Sequence, residues 1–474
     1  METFGDSGST FVPNVGSIYG FDLKVDRIAS AAISRYMNGC GFSKGDGYYW
    51  AGVQGSRHSE HLVIMRVSMP DERGNGGGVI SYEGTPKIIS VFDYAAEFEK
   101  VRNNVRQACS PLRSLPQSDE MEKVCTELRQ VRDKLCVQGA LSASDGVAGY
   151  VTTIETLSGF IKGGQYAKFS NQISGSIRNV IDAIYQVVNC LHSVIEAEKA
   201  AVDDFLDALP TVLDKLPKEL DDSWDTIKVQ DVLKVAEWVV DAATAVASGG
   251  ASMIVKTFAK ITIRVMSTIV YSPEDGEAKG SGIGYGLDAG ANAVKSLIVN
   301  QDNDKSLSGA LNSAEKELAS FVNAMIRVVC SSPQPYNFLP YYLQGKSEEL
   351  NVSDLGAVRS IADDAITPLA VELRSASSTL AGLSVGSAFS RSGNIGRGPH
   401  GVLAEFNELN AFAMSALTAL AEELDDVAHS VKRFIGDIEE SEEEAAANLN
   451  RIGRDITPQL PVSYFKWVPG AQKG

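Results

Sequence analysis

Apolar residues recur at intervals of three and four along most of the chain beyond residue 90. One run carries Ile173, Ile177, Ile181, Ile184, Val188, Leu191 and Ile195. Side chains at this spacing share one face of an α-helix, so the run predicts an amphipathic helix over residues 166–209. Because its apolar face is narrow and continues for about six turns, the helix has the pattern of a coiled-coil seam. Pro210 and Pro217 predict the next junction.

The C-terminal part carries two further runs, separated by a glycine-rich loop at residues 382–401. Pro368 interrupts the first run and is expected to kink that helix. The second run forms one continuous apolar stripe over residues 402–438. We name the following members of it the interaction stripe: Phe406, Leu409, Leu420, Leu424, Val427, Val431 and Phe434.

Two helices joined by a flexible loop cannot bury both apolar faces completely against each other. The remaining faces need the rest of this chain, a second copy or a hairpin of another protein to cover them. We therefore predict that the interaction stripe binds a protein partner, either a small helical-hairpin protein or a second copy. Residues 439–444 are acidic and follow the helix at the end where its dipole disfavours carboxylates. That end is expected to fray or to bind something basic.

An α+β segment is predicted near the N-terminus. Residues 21–37 show helical spacing, whereas residues 61–69 and Val79–Glu83 have the composition of strands. Pro70 and several glycines separate these two strands, which predicts a hairpin with a long loop. No other part of the chain has a comparable β pattern.

A glycine turn at Gly249-Gly250 joins two predicted helices within residues 235–271. The first helix carries an acidic stripe that includes Glu237 and Asp241, and the second carries basic residues every four positions. Folding back at the glycines would pair the two charges, which predicts a helical hairpin.

These patterns predict a mainly α protein, a multi-helix bundle with long antiparallel helical hairpins and a small N-terminal α+β segment. The expected domains follow the chain in order. They are a leader and α+β segment (1–89), a central helical bundle with the glycine-turn hairpin (90–330), a Pro-rich linker (331–345), a C-terminal helical hairpin (346–450) and a tail (451–474).

Charge and hydropathy narrow the classes of function. The chain of 474 residues has a formal net charge of −17, which disfavours nucleic acid as a partner and disfavours contact with anionic membranes. The start of the chain has neither a basic region nor an apolar core of a signal peptide, so synthesis in the cytoplasm is expected. The uncharged run at residues 242–255 is shorter than the roughly 20 residues that a membrane-spanning helix needs.

Candidate chemical motifs are sparse. His58 and His61 flank Glu60, yet no further cysteine or histidine lies near enough in sequence to complete a metal site. The glycines of residues 280–286 lack the spacing of a phosphate-binding loop and are interpreted as a linker. The remaining histidines, 192, 400 and 429, are far apart, and the six cysteines form no CxxC pair. We therefore predict buried free thiols, no catalytic, cofactor-binding or metal residue, and no enzymatic activity.

The C-terminal part resembles a known family. Leu350-Asn-Val-Ser-Asp-Leu355, the alanine-rich helix after it, the loop and the long helix with Ala-Leu repeats resemble the WxG-type helical hairpins. These are substrates and associated proteins of actinobacterial type VII (ESX) secretion, and the similarity covers about residues 350–450. In place of the Trp-x-Gly of the family, the loop has Ser387-Ala388-Phe389. Phe434 and Ile438 stand where the family has its Tyr-x-x-x-Asp/Glu export signal.

The resemblance implies a secretion-associated or secreted scaffold protein that acts by protein–protein interaction. Two alternatives stay open. The 235–271 hairpin has the apolar content and glycine turn of an element that inserts into membranes, as in α-helical pore-forming proteins. The N-terminal α+β segment could also hold an enzyme site without a recognisable motif.

Overall fold

A computed structural model describes most of the chain, and every structural statement below concerns the described residues. These are residues 20–54, 62–71, 76–83, 94–115, 118–137, 146–158, 161–162, 164–221, 286–303, 306–331, 334–336, 351–352 and 355–440. Of the described residues 81% are helical, and a small antiparallel sheet lies near the N-terminus. The predicted mainly α class is therefore confirmed, together with its small N-terminal α+β segment.

The helices follow the predicted periodicity along the chain. They are α1 (Phe21–Gly39), α2 (Tyr94–Cys109), α3 (Ser118–Leu135), α4 (Val147–Ser158), α5 (Gly164–Asp221), α6 (Ala289–Val294), α7 (Leu307–Ser331), α8 (Leu355–Ser360), α9 (Thr367–Ala381), α10 (Val385–Phe389) and α11 (Leu403–Glu440). The strands are β1 (Ser43–Gly45), β2 (Tyr48–Gln54), β3 (Leu62–Ser68), β4 (Val79–Glu83), β5 (Ile161–Lys162) and β6 (Asn351–Val352).

Strands β1 to β4 form one antiparallel sheet in the order of the chain. The hairpin of β3 and β4 was predicted and is confirmed, whereas β1 and β2 were missed. A two-residue turn joins β1 to β2, and both of its residues, Asp46 and Gly47, have positive φ (50° and 78°). Asp-Gly is the sequence that favours this tight hairpin turn, because its backbone twist matches that of the strands. Trp50 of β2 faces Arg66 of β3, whose guanidinium carbon lies 3.9 Å from the centroid of the indole ring.

Contacts within the chain divide it into two compact units. Unit 1 comprises Met1–Ser118, Glu198–Leu318 and Gly386–Val402, and unit 2 comprises Asp119–Ala197, Ala319–Val385 and Leu403–Gly474. Each unit therefore combines segments from separate parts of the sequence.

In unit 1, α6 lies close to α1 and α2, and Gly290 permits this approach. A Cβ atom at Gly290 would lie 2.5 Å from the Cβ of Ala32 and 2.8 Å from a methyl carbon of Val105. Such distances are well inside van der Waals contact, so a larger side chain would push the helices apart. The small residue thus sets the distance between these helices.

Helix α5 continues beyond its predicted end at residue 209. It runs through Pro210 and Pro217 to Asp221, so the predicted junction at these prolines was wrong. A proline inside a helix removes one backbone hydrogen bond and costs about 3 kcal/mol. Leu209, Leu213 and Leu216 are fully buried in this stretch, and burial of each stabilises the folded chain by about 1.5–3 kcal/mol, which offsets that cost.

In unit 2, the interruption expected at Pro368 takes the form of a π-helical segment, Ile361–Ile366, directly before α9. A π turn bonds residues five apart and contains one residue more than an α turn. Pro368 stands in the first turn of α9, directly after the π segment, and has no N–H to donate to the preceding turn. The hydroxyl of Thr367 donates to the carbonyl of Ala362 over 2.8 Å and so satisfies that carbonyl within the irregular turn.

Helices α9 and α11 of unit 2 pack against each other. Asn410 donates through Nδ2 to the carbonyl of Leu380 over 3.1 Å, and the hydroxyls of Ser377 and Thr418 are 3.1 Å apart. Further along, Arg374 pairs with Asp425. These polar contacts flank the buried apolar residues of both helices.

The predicted glycine-turn hairpin at residues 235–271 lies outside the described residues, as do residues 441–444 of the acidic run and the His58–His61 pair. In the described part of the chain, none of the helices combines the length and the low charge that crossing a bilayer requires.

Candidate binding cleft

The interaction stripe lies inside unit 2. Phe406, Leu409 and Leu424 are completely buried, and Leu420, Val427 and Val431 are at least nine-tenths buried. The side chain of Phe434 lies outside the described residues. Since α11 packs on α9 and on the π segment before it, the chain itself covers these residues. They form core, and a partner would have to bind another surface or displace these helices.

Unit 1 contains a buried cluster of charged side chains. Arg391, from the loop before α11, lies between Glu198 of α5 and Glu315 of α7, and all three side chains are fully buried. Arg391 Nη1 lies 3.3 Å from Glu198 Oε1, and Nη2 forms an ion pair with Glu315. Its Nε donates to the carbonyl of Gly398 over 3.0 Å. The cluster ties one loop to two helices.

Gly401 makes room for this cluster. Its φ is +50°, in the left-handed region, and a Cβ there would lie 2.8 Å from Glu198 Oε1 and closer still to Arg391. Any larger residue would therefore both strain the backbone and collide with the buried ion pair. The loop can fold over the glutamates because the glycine has no side chain.

Two carboxylates face a single guanidinium in this cluster. Burial raises the pKa of Glu198 well above its ordinary value, and the charge of Glu315 raises it further, while Arg391 opposes the shift. A buried carboxyl that holds its proton can donate a hydrogen bond, which relieves the excess negative charge. Paired carboxyl groups are common in acid–base catalysis, but these are closed to solvent and cannot reach a substrate. We interpret the cluster as structural.

An open cleft of about 590 Å³ lies elsewhere in unit 1, and its volume falls within the range of ligand sites. Helix α1 and the loop after β3 line it, with contributions from β1, β2, α2 and the end of α5. The lining residues are Leu23, Asp26, Arg27, Ser30, Ala31, Ser34, Lys44, Tyr49, Met69, Pro70, Asp71, Arg102, Pro217 and Lys218.

Four of the lining side chains are basic and two are acidic. Oδ1 of Asp26 lies 3.1 Å from Nη2 of Arg106, a residue that does not line the cleft. Arg27 and Lys218 are exposed, and neither forms an ion pair with a described residue. The cleft is therefore locally cationic, although the chain as a whole is strongly acidic.

Arg102 of α2 is the buried basic residue of the cleft, with 9% of its surface exposed. Its Nη1 lies 3.1 Å from Glu99 Oε2, whereas its Nη2 is buried and has no hydrogen-bond partner among the described residues. A buried donor without a partner costs about 1–3 kcal/mol, and more when it belongs to a charged group. Arg102 lines the cleft, so a guanidinium group with an unused donor belongs to its wall.

Hydroxyl groups complete the polar lining. The hydroxyls of Ser34 and Tyr49 are 2.9 Å apart and buried, and the ring of Tyr49 contacts Phe98 edge to face. This packing fixes the wall of the cleft. Together with the basic residues, these hydroxyls offer hydrogen-bond donors for binding an anion.

Sequence reasoning did not find this cleft. Arg27, Lys44, Arg102 and Lys218 come from four separate elements, and no local spacing links them. The only feature of the sequence that could have indicated the cleft was the presence of single basic residues on amphipathic helices. That signal is weak, because surface lysines and arginines are common on any helix.

The structure also places the three histidines that are far apart in the sequence. His400 and His429 are exposed, whereas His192 is buried in unit 2. Burial, together with the charges of the nearby Arg132 and Arg129, lowers the pKa of His192 to about 4. His192 is therefore neutral at pH 7. Within the described residues, no group of three or more potential ligand side chains could hold a metal ion.

Comparison with known proteins found no match for this chain among protein-family models, curated proteins or solved structures.

Proposed function

We propose that this chain is a non-enzymatic helical protein that acts by protein–protein interaction, as a secretion-associated or secreted scaffold protein of a type VII system. The observation that carries the proposal is the packing of the two C-terminal helices. The resemblance over residues 350–450 implies a helical hairpin there.

The polar contacts between α9 and α11 support a hairpin. Leu380 contacts Asn410, Ser377 contacts Thr418, and Arg374 contacts Asp425. The residue number in α11 rises as that in α9 falls, which is the order expected of two antiparallel helices joined by a loop. The buried stripe between them gives the hairpin a core of its own.

The loop departs from the family in a way that bears on partner binding. Phe389, the aromatic residue of the Ser387-Ala388-Phe389 sequence, is fully buried at the end of α10. An exposed aromatic at this place could take part in recognition, but a buried one anchors the loop. We therefore expect partner contacts to involve surfaces other than this motif.

The proposal is tested by export. The full chain, with an epitope tag, is expressed in an actinobacterium with an intact type VII system and in a strain that lacks the secretion ATPase. We expect the chain in the culture filtrate, or bound to a small helical-hairpin protein, only in the first strain. A chain that stays in the cytoplasm of both strains and co-purifies with no hairpin protein would contradict the proposal.

Neither alternative is favoured by a described residue. The 235–271 hairpin, which the membrane-active alternative needs, lies outside the described residues. The lining of the cleft includes no histidine or cysteine that would single out a catalytic pair for the enzyme alternative.

A further inference from the structure

We propose that the cleft of unit 1 binds an acidic peptide segment of a protein partner, with Arg102 as the buried anchor for a carboxylate. The inference rests on one part of the proposed function, namely that this chain binds another protein. It concerns a different unit of the chain from the C-terminal helices.

The first argument is charge. The chain has a net charge of −17, so a random surface region is expected to be acidic. The cleft instead collects four basic residues against two carboxylates. Asp26 is paired with Arg106 and Arg102 with Glu99, and neither partner lines the cleft, so Arg27 and Lys218 carry its excess positive charge. Such a local reversal of sign attracts an anionic ligand to the cleft, whereas the acidic surface around the cleft repels it.

The second argument is the state of Arg102. Its Nη2 is buried without a partner, although Nη1 is paired with Glu99. Guanidinium groups hold carboxylates through charge-assisted hydrogen bonds, which are shorter and stronger than neutral ones. A glutamate or aspartate side chain that enters the cleft would supply the missing acceptor.

The third argument is the distribution of the lining residues, which favours an extended segment over a small ion. The free cations Arg27 and Lys218 come from α1 and α5, and Arg102 comes from α2, so charges on different elements face one ligand. Leu23, also in the lining, is 52% exposed. Apolar surface beside separated cations suits a peptide that has several carboxylates and apolar side chains.

The test uses the full chain and a fluorescein-labelled peptide of eight glutamates, and binding is followed by fluorescence anisotropy. We expect saturable binding that weakens as salt increases, because the contacts are ionic. The double variant Arg27→Ser/Lys218→Ser changes exposed side chains and should retain the fold, with binding about tenfold weaker. Arg102→Gln removes the anchor, and we expect a loss of similar size.

The matched control removes the same charge outside the cleft. Lys295 and Arg327 are exposed and do not line the cleft. The double variant Lys295→Ser/Arg327→Ser therefore has the same net charge as the cleft variant, and we expect it to bind like the wild type. Equal affinity of the two double variants would overturn the proposal, since binding would then depend on overall charge alone.

A second arm distinguishes peptide from phosphate. Pyrophosphate is added as a competitor of the labelled peptide, and its direct binding is measured by calorimetry. Failure of the peptide to bind, with or without binding of pyrophosphate, overturns the proposal. Circular dichroism is recorded for each variant, and if Arg102→Gln is unfolded, the exposed double variant alone decides. A chain that binds the peptide but is not exported supports the cleft and contradicts the secretion proposal, so the two failures are distinguishable.

Discussion

The buried charge cluster of unit 1 consists of Glu198, Glu315 and Arg391. Its contribution to stability depends on which of these side chains are charged. Removing a charge from water costs several kcal/mol, which mutual attraction and hydrogen bonds must offset. Here two carboxylates share one guanidinium, so one proton on the pair brings the cluster close to neutrality. The raised pKa of Glu198 is consistent with this, because it means that the folded chain favours the protonated carboxyl group.

The first prediction concerns the pH dependence of stability. Because the folded-state pKa of Glu198 is raised, the folded chain binds more protons than the unfolded chain once pH exceeds the unfolded-state pKa. Its stabilising contribution is complete below the unfolded-state pKa and is lost as pH rises through the folded-state pKa. Glu198→Gln imitates the protonated form, so its free energy of unfolding should fall less between about pH 5 and pH 8.

The measurement is urea unfolding of the wild type and Glu198→Gln across this pH range. Glu422→Gln, at an exposed position of α11, serves as the control and should follow the wild type. A variant whose stability changes with pH as steeply as that of the wild type would show that Glu198 is ionised in the folded chain.

The residues of the cluster could not be predicted from the sequence. Glu198 and Glu315 stand in helices where a charged residue usually faces solvent, and Arg391 is 193 residues away from Glu198 along the chain. A charged side chain is buried only with a partner of opposite charge, which can be distant in sequence. The spacing of residues within one helix does not identify that partner. The same holds for the four basic residues of the cleft.

Whole elements were more predictable than single side chains. The seam from Ile173 to Ile195 and the stripe of α11 are buried as their spacing indicates. Periodicity reports which face of a helix is apolar, and burial of that face is the strongest local constraint on folding. The end of α5 was misjudged because proline opposes a helix locally, while the buried leucines around it act through tertiary packing. Strands β1 and β2 were missed because glycines interrupt their short apolar pattern.

The second prediction tests the stripe as core. Leu420 and Leu424 are 2% and 0% exposed, and truncating a buried leucine to alanine typically costs ~2–5 kcal/mol. We expect Leu420→Ala/Leu424→Ala to lower the melting temperature markedly, and to abolish any complex that depends on this hairpin. Thermal melts followed by circular dichroism provide the measurement.

The matched control is Glu422→Ala/Ser430→Ala, on the exposed side of the same helix. Exposed substitutions usually change stability by less than ~0.5 kcal/mol, so this variant should melt like the wild type. If the double leucine variant melts at the wild-type temperature, α11 is not packed as described.

For the whole molecule, the mainly α class could be predicted from the sequence, whereas the assignment of segments to compact units could not. Composition and periodicity average over many residues, so errors at single positions cancel. The division into units depends on which segments meet, and three separate segments contribute to each unit. Proline-rich and glycine-rich stretches mark local breaks in helices, and such breaks need not coincide with boundaries between units.

The third prediction is the circular dichroism spectrum of the full chain. Helices make up 81% of the described residues, and the sheet is small. We expect minima near 208 and 222 nm whose depth corresponds to roughly half of all residues or more in helices, above the usual third of a globular protein. A spectrum dominated by strands would contradict the fold.

The buried cluster has a consequence for the order of folding during synthesis. A ribosome adds roughly 5–20 residues per second, so Arg391 emerges about ten seconds or more after Glu198. Until then, neither glutamate has its cationic partner, and burying them is costly. Closure of unit 1 should therefore wait for the loop that contains Arg391, and a nascent chain halted before this loop should be an early target for proteases.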